Sequence, residues 1–334
     1  MAIAGRPPDD TPFHPGEIAV QERAGVRARA ERMGPGIRDF MPDQHRELFT
    51  KLPYLLVGSV DAAGQPHASL LVGRPGFVAS PDALTLVIGA KPAADDPLAE
   101  NLAVGAAVGL LGIELHTRRR NRMNGVVTAL DARGFVVEVR QSFGNCPQYI
   151  QARAPFFVLD PGAPKAAPPQ REAARLSAAA VSLLRQADTF FIATAAAPER
   201  PDSPYGVDVS HRGGKPGFIR VTEEGEATIL TVPDFRGNNA FNTLGNIAVE
   251  PRAGLLVVDF ASGDLLSLTG EGIVVWDGPE LASFAGAQRL LKLHVTGGLV
   301  RRNAVPLRWS QPQAAPQLAA TGSWEASAPS GTSG

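Results

Sequence analysis

The feature that most constrains this chain is an internal repeat. GRPGF at 73–77 returns as GKPGF at 214–218, an offset of 141, and NLAVGAAVGLL at 101–111 returns as NIAVEPRAGLL at 246–256, an offset of 145. Matched blocks in the same order predict a duplicated domain. The later offset is four residues longer (145 − 141), which places a net insertion between the two blocks of the second copy.

The chain length and the positions of the Pro-rich and low-complexity segments agree with two copies. A chain of 334 residues has room for about two domains. A Pro-rich stretch reads as a linker and a low-complexity end as a tail. The predicted organisation is an N-terminal arm with a helix at 1–44, a first barrel repeat at 45–159, a linker at 160–169, a second barrel repeat at 170–310 and a disordered tail at 311–334.

Within each copy the elements are short β-rich runs bounded by turn residues. In the first copy, runs of strand length and composition lie at 54–60, 66–72, 84–88, 107–112 and 125–130. Helical spacing and capping residues predict helices at 95–104, 170–186 and 239–249. Many short antiparallel strands with few helices predict a mainly β protein with one small barrel per copy.

Composition excludes several classes of protein. A net charge of −1 argues against a nucleic-acid binder, and no apolar run has the length of a membrane helix. The single cysteine, Cys146, forms no internal disulfide, and the histidines lack metal-ligand spacing. The prediction is a cytoplasmic protein that binds neither nucleic acid, membrane nor metal. No GxGxxG fingerprint is present, so a nicotinamide would have to bind over another cofactor.

Four motifs of the second copy carry a family resemblance: DVSHRGGKPGF at 208–218, PDFRGNNAFNTLGNI at 233–247, PRAGLLVVDF at 251–260 and GDLLSLTGEG at 263–272. They resemble the pyridoxamine 5′-phosphate oxidase-like, FMN-binding split-barrel superfamily. The first copy resembles it less closely, through RPGF, VGLLGIEL, RRRNRMNG and SFGNCPQYIQ. The resemblance implies two tandem split β-barrels, FMN as cofactor and a site between barrels. Most members pair two chains; here the copies are expected to pair within one chain, and a further homodimer stays open.

The segment from Phe235 to Asn239 is the predicted phosphate site. Gly237 permits a tight turn whose backbone N–H groups form an anion nest, and Arg236 can pair with a phosphate. A helix beginning near Asn239 adds its positive end. The alternative is an ordinary turn with a helix cap. The residues assigned to the cofactor phosphate are Arg236, Gly237, Asn238, Asn239, Asn242 and Thr243.

The stretch 210–218 is the second candidate. His211, Arg212 and Lys215 flank two glycines, where backbone can approach a flat ligand. A loop packed over the barrel end is the competing interpretation. The assigned cofactor contacts are Ser210, Arg212 and Lys215.

The densest basic run is RRRNR at 118–122. As a strand it would place Arg120, Arg122 and Asn124 on one face. It is either a solvated edge strand protected by charge or a contribution across the seam to the flavin or an anionic substrate. Tyr149 is added as a possible contact from the family resemblance, and Cys146 is expected to be buried and inert, because no basic partner is evident.

The resulting functional hypothesis is an FMN-dependent oxidoreductase that moves electrons or hydride to or from a small planar substrate, with NAD(P)H as a possible further ligand. No catalytic residue is assigned. Two alternatives stay open: a non-catalytic protein that holds flavin or haem, and a deazaflavin-dependent reductase.

Overall fold

The structure is a computed structural model that describes residues 11–161, 168–196 and 206–324. Strands dominate, and the α-helices are short. The helices of the described residues are α1 Pro15–Arg23, α2 Arg27–Met33, α3 Asp43–Lys51, α4 Leu98–Asn101, α5 Ala178–Gln186, α6 Asn242–Val249 and α7 Pro279–Ala282. The start of the predicted arm and most of the predicted linker lie outside the described residues.

The first half forms a curled antiparallel sheet. Its strands are β1 Tyr54–Val60, β2 Pro66–Val72, β3 Val78–Ala79, β4 Thr85–Ile88, β5 Ala107–Glu114, β6 Arg119–Leu130 and β7 Phe135–Asn145. They lie in the order β2-β1-β5-β6-β7-β4-β3.

The second half forms a second sheet of the same kind. After β8 Pro155–Phe157 and β9 Gln170–Glu172, its strands are β10 Thr189–Ala195, β11 Val207–Gly213, β12 Arg220–Glu224, β13 Ala227–Phe235, β14 Arg252–Val258, β15 Leu265–Val275 and β16 Ala287–Arg301. They lie in the order β11-β10-β14-β15-β16-β13-β12, with β9 added on β16. The short strand β17 Leu307–Trp309 pairs with β8. The predicted fold class, mainly β with two split barrels, is confirmed.

The strand orders of the two halves correspond one to one. The repeated GxPGF motif makes the same turn in both. Gly76 has φ +94° and Gly217 has φ +85°, a backbone region open to glycine. A Cβ on Gly73 or on Gly214 would lie 2.3 Å from the phenylalanine four residues later. The repeat therefore encodes a specific backbone path, which only glycine allows at these positions.

The apolar first strand of each half is buried on both faces. In β1, Leu55 and Val57 face the core of the first barrel, whereas Tyr54 and Leu56 face a third core shared by the two halves. Strand β10 divides its side chains in the same way between its own barrel and the shared core. A strand buried on both faces needs a continuous apolar run, which explains LPYLLVGSV and TFFIATA.

Close backbone contacts join the halves along this seam. A Cβ on Gly109 would lie 2.5 Å from the Val207 carbonyl oxygen, and one on Gly254 would lie 2.3 Å from the Pro66 carbonyl oxygen. Gly109 and Gly254 occupy matched positions of the repeat, as do Pro66 and Val207. The two contacts are thus related by an approximate two-fold symmetry.

Two predicted helices prove shorter and one is partly a strand. The helix expected at 239–249 begins at Asn242 because Asn239 and Phe241 adopt left-handed backbone with φ +66° and +63°. The helix expected at 95–104 spans Leu98–Asn101. The prediction of a helix over 170–186 is wrong at its start: residues 170–172 pair with β16, and the helix begins after Ser177, whose side chain caps it.

The predicted disordered tail is also wrong for residues 311–324. They contain a 3₁₀ helix at Pro316–Ala320 with Leu318 buried. The Trp324 indole N–H donates to the Phe218 carbonyl at 2.8 Å. Burial of apolar side chains fixes this segment onto the second barrel. Residues 325–334 lie outside the described part.

Among the helices that the structure describes, none is both long and apolar enough to span a bilayer. The cytoplasmic location stays a prediction.

The seam glycines allow a stability test. We expect Gly109→Ala to lower the free energy of unfolding by about 1–3 kcal/mol, because its Cβ would overlap the Val207 carbonyl. Gly36→Ala is the matched control, since nothing lies within 4 Å of a Cβ there. Urea denaturation of both variants measures the difference. Equal losses in the two variants would contradict the close packing of the seam.

Candidate functional site

A polar cleft lies in the seam between the two halves. Strand β6 of the first half forms one wall; β11, α6 and the loop 235–241 of the second half form the other. Its enclosed volume is about 90 Å³. The lining residues are Leu111, Arg120, Arg122, Asn145, Cys146, Ser210, His211, Arg212, Asp234, Phe235, Gly237, Asn238, Asn239, Phe241, Asn242 and Thr243.

Strand β6 explains the arginine run. It is a central strand between β5 and β7, so the interpretation as a solvated edge strand is wrong. Arg122 is 3% exposed although it carries a charge. Its position on the inward face of a strand at the seam directs the guanidinium into the second half.

Arg122 is held by three side chains of the other half. Its Nη1 lies 3.0 Å from Asp208 Oδ1 and donates to Asn242 Oδ1 at 2.6 Å. Its Nη2 donates to the Ser210 hydroxyl. Asn124 donates to the same Asp208 carboxylate at 2.8 Å. Arg122 and Asn124 thus face the second half as predicted, and Arg122 belongs to the cleft lining.

Arg120 connects the cleft to Cys146. Its Nε donates to the Cys146 carbonyl at 3.0 Å, and its Nη2 lies 4.0 Å from the Cys146 sulfur. Burial, together with the charges of Arg122 and Arg212, lowers the pKa of Arg120 to about 10. Cys146 therefore has a basic neighbour that the sequence did not reveal, and it is half-buried rather than fully enclosed.

His211 is a neutral donor in this cleft. Burial first, and then the charges of Arg120 and Arg212, hold its pKa well below the ordinary value. Arg120 Nη1 lies 3.1 Å from His211 Nδ1, and an arginine can only donate, so Nδ1 accepts. The hydrogen of the neutral ring is then on Nε2.

Four buried polar atoms of the cleft have no hydrogen-bond partner among the described residues. They are Arg122 Nε, Asn145 Nδ2, His211 Nε2 and Thr243 Oγ1. The first three are N–H donors, and the hydroxyl can donate. Buried polar groups are normally satisfied, so an acceptor that reached these four residues of the lining would complete their hydrogen bonds. An anion has the acceptor oxygens that such a set of donors suits.

Arg212 adds a third guanidinium. Its Nη2 lies 3.8 Å from Asp234, which also pairs with Arg289 at 3.0 Å. Burial lowers the pKa of Arg212, while Asp234 opposes that change. The lining holds three arginines and one carboxylate, Asp234. With Asp208 paired to Arg122 and Arg289 paired to Asp234, an excess of positive charge remains.

The loop 235–241 shapes the mouth of the cleft. Asn239 and Phe241 have left-handed backbone, an uncommon state for residues with a Cβ that concentrates at functional sites. Asn238 Nδ2 donates to Asn145 Oδ1 of the first half at 3.2 Å. A Cβ at Gly237 would meet nothing within 4 Å. The loop thus reaches across the seam while its tip stays open.

Four predicted residues lie outside the lining: Asn124, described above, and Arg236, Lys215 and Tyr149. Arg236 is exposed. Lys215 donates to the Thr321 carbonyl at 2.6 Å and so anchors the carboxyl-terminal segment. Tyr149 stacks on Phe235 with ring centroids 4.9 Å apart and supports the loop from behind. The other predicted residues, Ser210, Arg212, Gly237, Asn238, Asn239, Asn242, Thr243, Arg120 and Arg122, come together in the cleft.

Sequence reasoning predicted a helix in the N-terminal arm but missed its contacts with the candidate site. Glu17 of α1 accepts from Asn242 Nδ2 at 2.5 Å, and its other oxygen accepts from the His14 backbone N–H at 3.0 Å. His14 Nε2 lies 2.8 Å from Asn246 Oδ1. The residues HPGE at 14–17 form a capping box, which was the one available signal, but nothing in it pointed to a partner over 220 residues away.

Close helix packing seats α1 on α6. A Cβ on Gly16 would lie 2.4 Å from the Gly245 carbonyl, and one on Gly245 would lie 2.6 Å from Glu17 Cα. Burial, with the charge of Asp208 second, raises the pKa of Glu17 to about 8. The helix therefore places beside Asn242, a residue of the cleft lining, a carboxyl group that is protonated at neutral pH.

Comparison with known proteins finds a family match over part of the chain. The sequence profile described as pyridoxamine 5′-phosphate oxidase matches residues 41–160. The predicted resemblance to this split-barrel superfamily is thereby confirmed, although the match lies in the first half and the more specific motifs were expected in the second. No curated protein matches the chain.

Two solved structures are similar to the chain at low identity. A structure described as an F420 reductase is 16% identical, with a TM-score of 0.22 and coverage of 30% of this chain and 95% of that one. A MrkH–c-di-GMP complex of K. pneumonia is 9% identical, with a TM-score of 0.21 and coverage of 78% of this chain and 83% of that one.

Among the described residues, no cluster of three or more metal-ligating side chains is present.

The raised pKa of Glu17 predicts a pH dependence. From about pH 4.5 to about pH 8 the folded carboxyl keeps a proton that the unfolded chain releases, so stability falls as pH rises through this interval. Glu17→Gln removes the titration. We expect the wild type to lose stability relative to this variant between about pH 5 and about pH 8, as measured by urea unfolding at each pH.

Glu22 is exposed on the same helix and provides the control. Glu22→Gln should show no such trend against the wild type. A flat difference between Glu17→Gln and the wild type across the same interval would disprove the assignment.

Proposed function

We propose that the seam cleft binds the phosphate of FMN and that the chain is a flavin-dependent oxidoreductase. The observation that carries the proposal is the set of four buried donors without partners beside three arginines. The match of residues 41–160 to a family of flavin oxidases supports it. An anion of several acceptor oxygens is the group that would satisfy such donors.

The residues fit the phosphate end of the cofactor. The groups that would hold it are Arg122 Nε, Asn145 Nδ2, His211 Nε2 and Thr243 Oγ1, together with the backbone at Gly237. Phosphate carries excess negative charge, which the arginines balance. The unpartnered donors would then be satisfied in the bound state.

The volume of the cleft sets a condition for the isoalloxazine ring. A cavity of about 150 Å³ can hold one benzene molecule, whereas the cleft has a volume of about 90 Å³. A phosphoryl group fits that volume, and the three-ring isoalloxazine would lie beyond it, at the open mouth formed by loop 235–241.

When bound, FMN would supply the hydride and electron chemistry. The chain's own residues bind and orient it: arginines on β6 fix the anionic end, and the loop of the second half covers it. Neutral His211 donates a hydrogen bond and stays unprotonated at neutral pH, so it holds the ligand without serving as an acid. A small substrate, with NAD(P)H as the candidate reductant, would approach from the open mouth.

We also propose that the chain is an internal duplication whose seam takes the place of a dimer interface. The shared strand order and the matched glycine contacts support this. The repeat boundaries 45–159 and 170–310 belong to the same proposal. A further homodimer would leave the seam intact.

Thr243 provides a test of phosphate binding. Thr243→Val removes an unpartnered hydroxyl without breaking a protein hydrogen bond, so folding should be unharmed. We expect the Kd for FMN to rise by roughly tenfold, because a hydrogen bond to a charged group is lost. The Kd for riboflavin, which lacks the phosphate, should not change. Fluorescence titration measures both.

Thr189 is the matched control for that substitution. It is an equally buried threonine with an unpartnered hydroxyl, and it does not line the cleft. Thr189→Val should leave both affinities as they are. A wild-type protein that binds FMN no better than riboflavin would reject the phosphate assignment.

The catalytic part of the proposal has a separate test. We expect anaerobic NADH or NADPH to bleach the flavin absorbance of the FMN-loaded chain, and an added electron acceptor to restore it. Stable oxidised flavin under both reductants would favour a carrier. A Soret band in the purified protein would indicate a haem-binding protein. Turnover with a deazaflavin in place of FMN would indicate a deazaflavin-dependent reductase.

A further inference from the structure

A large cavity lies at the other end of the seam, away from the arginine cleft. Its volume is about 690 Å³, within the range of small-molecule sites. It is lined by α4 and β2 of the first half, by β15 and β16 of the second, and by residues 169–172. No function described above uses it.

This second cavity is the symmetry counterpart of the arginine cleft. The cleft uses β6, β11 and α6, and the second cavity uses the corresponding β15, β2 and α4. The helix asparagine is matched too: Asn101 Nδ2 donates to Ser59 at 3.0 Å, as Asn246 Nδ2 donates to Thr194 at 3.1 Å. The frame of the two sites is therefore the same.

The second cavity is larger because α4 lacks a covering helix. At the cleft, α1 packs on α6 at Gly245. The position that matches Gly245 is Glu100, whose side chain faces the cavity. Within the described ranges, no helix packs against α4 as α1 packs against α6.

The side chains reverse the electrostatics of the cleft. Paired strand positions place Ser267 where Arg122 stands, Leu265 where Arg120 stands and His67 where Asp208 stands. The lining holds five carboxylates, of Asp61, Asp95, Asp96, Glu100 and Glu172, against one arginine, Arg171. His67 partners Asp61 at 3.1 Å, and Arg301 behind the wall partners Asp96 at 2.6 Å. Counted over the whole lining, carboxylates outnumber cationic side chains.

Hydroxyl groups complete the lining. Ser267 and Thr269 lie there beside Leu299, whereas Leu255 and Leu268, which also border the cavity, are buried in the core of the second barrel.

We propose that the second cavity binds a small organic cation. Its frame and volume provide the site, and its acidic rim selects the charge. The chain would then hold two unlike ligands at symmetry-related positions, an anion in the arginine cleft and a cation in the second cavity. The proposal does not depend on the identity of the anion.

Proflavine, a planar cation, is a direct probe. We expect it to bind the full-length chain with micromolar Kd in calorimetry, equally with and without saturating FMN. Gly297→Leu should abolish binding: a Cβ there would lie 3.4 Å from the Glu172 carbonyl and 4.0 Å from Thr269 Oγ1, so the added side chain fits the backbone and fills the cavity.

Charge selection is tested by a second variant. Glu100 is exposed in α4, so Glu100→Lys reverses a rim charge without disturbing the core. We expect it to weaken proflavine binding by roughly tenfold. Glu226→Lys, the same change at an exposed turn of the second barrel, should have no effect. Anthracene-2-carboxylate, a flat anion, should not bind the FMN-saturated chain.

Several results would overturn the proposal. They are absence of proflavine binding, proflavine binding that survives both Gly297→Leu and Glu100→Lys, and equal binding of the anion at the Gly297 site. FMN binding that is lost in Gly297→Leu and kept in Thr243→Val would show that the flavin occupies the second cavity, which rejects both assignments. Failure of FMN to bind anywhere, with proflavine binding intact, would reject the flavin proposal alone.

Discussion

Arg122 carries a positive charge from the first half into a buried pocket of the second, and the seam cleft is organised around it. A buried charge is costly unless it is paired and hydrogen-bonded. Asp208, Ser210 and Asn242 provide that environment, and all three belong to the other half. Neither barrel could bury its part of this network alone, because separation would leave Arg122 or Asp208 without compensation. The polar network therefore couples folding of the halves to assembly of the site.

The symmetry of the frame and the asymmetry of the side chains have different physical origins. The frame is set by backbone contacts at glycines and by apolar strands buried on both faces, and these requirements are the same in both halves. The identity of the charged side chains at the seam is not constrained by these backbone contacts or by the apolar strands. Arg122 and Ser267 can therefore occupy matched strand positions without any change of sheet order. One architecture thus provides two pockets of opposite electrostatic character.

The sequence predicted most of what depends on local pattern. Strands β1 and β2 have the predicted limits, because their apolar runs end at turn residues. Strand β6 was predicted to begin at Gly125 and begins at Arg119, because charged residues lower the apparent strand signal and their burial depends on partners in the other half. Glu17 could not be predicted, since its role exists only where α1 meets α6. Most residues predicted to contact the cofactor lie together in the cleft. Arg236 does not, because its side chain is exposed, and Lys215 does not, because the carboxyl-terminal segment engages it.

Admission of a ring-sized ligand to the cleft requires one wall to move, and the contacts indicate which. Helix α1 is fixed by the Gly16–Gly245 contact and by two hydrogen bonds of Glu17, so its displacement would expose a buried carboxyl group and break close packing. Strand β6 has hydrogen-bonded neighbours on both sides. Loop 235–241 instead holds two left-handed residues at a conformational cost, and nothing lies within 4 Å of a Cβ added at Gly237. Opening the loop would break the Asn238–Asn145 hydrogen bond and the stacking of Phe235 on Tyr149, but it would leave the order of both sheets and the α1–α6 packing unchanged. Among the elements around the cleft, the loop is therefore the one whose movement disturbs the fold least.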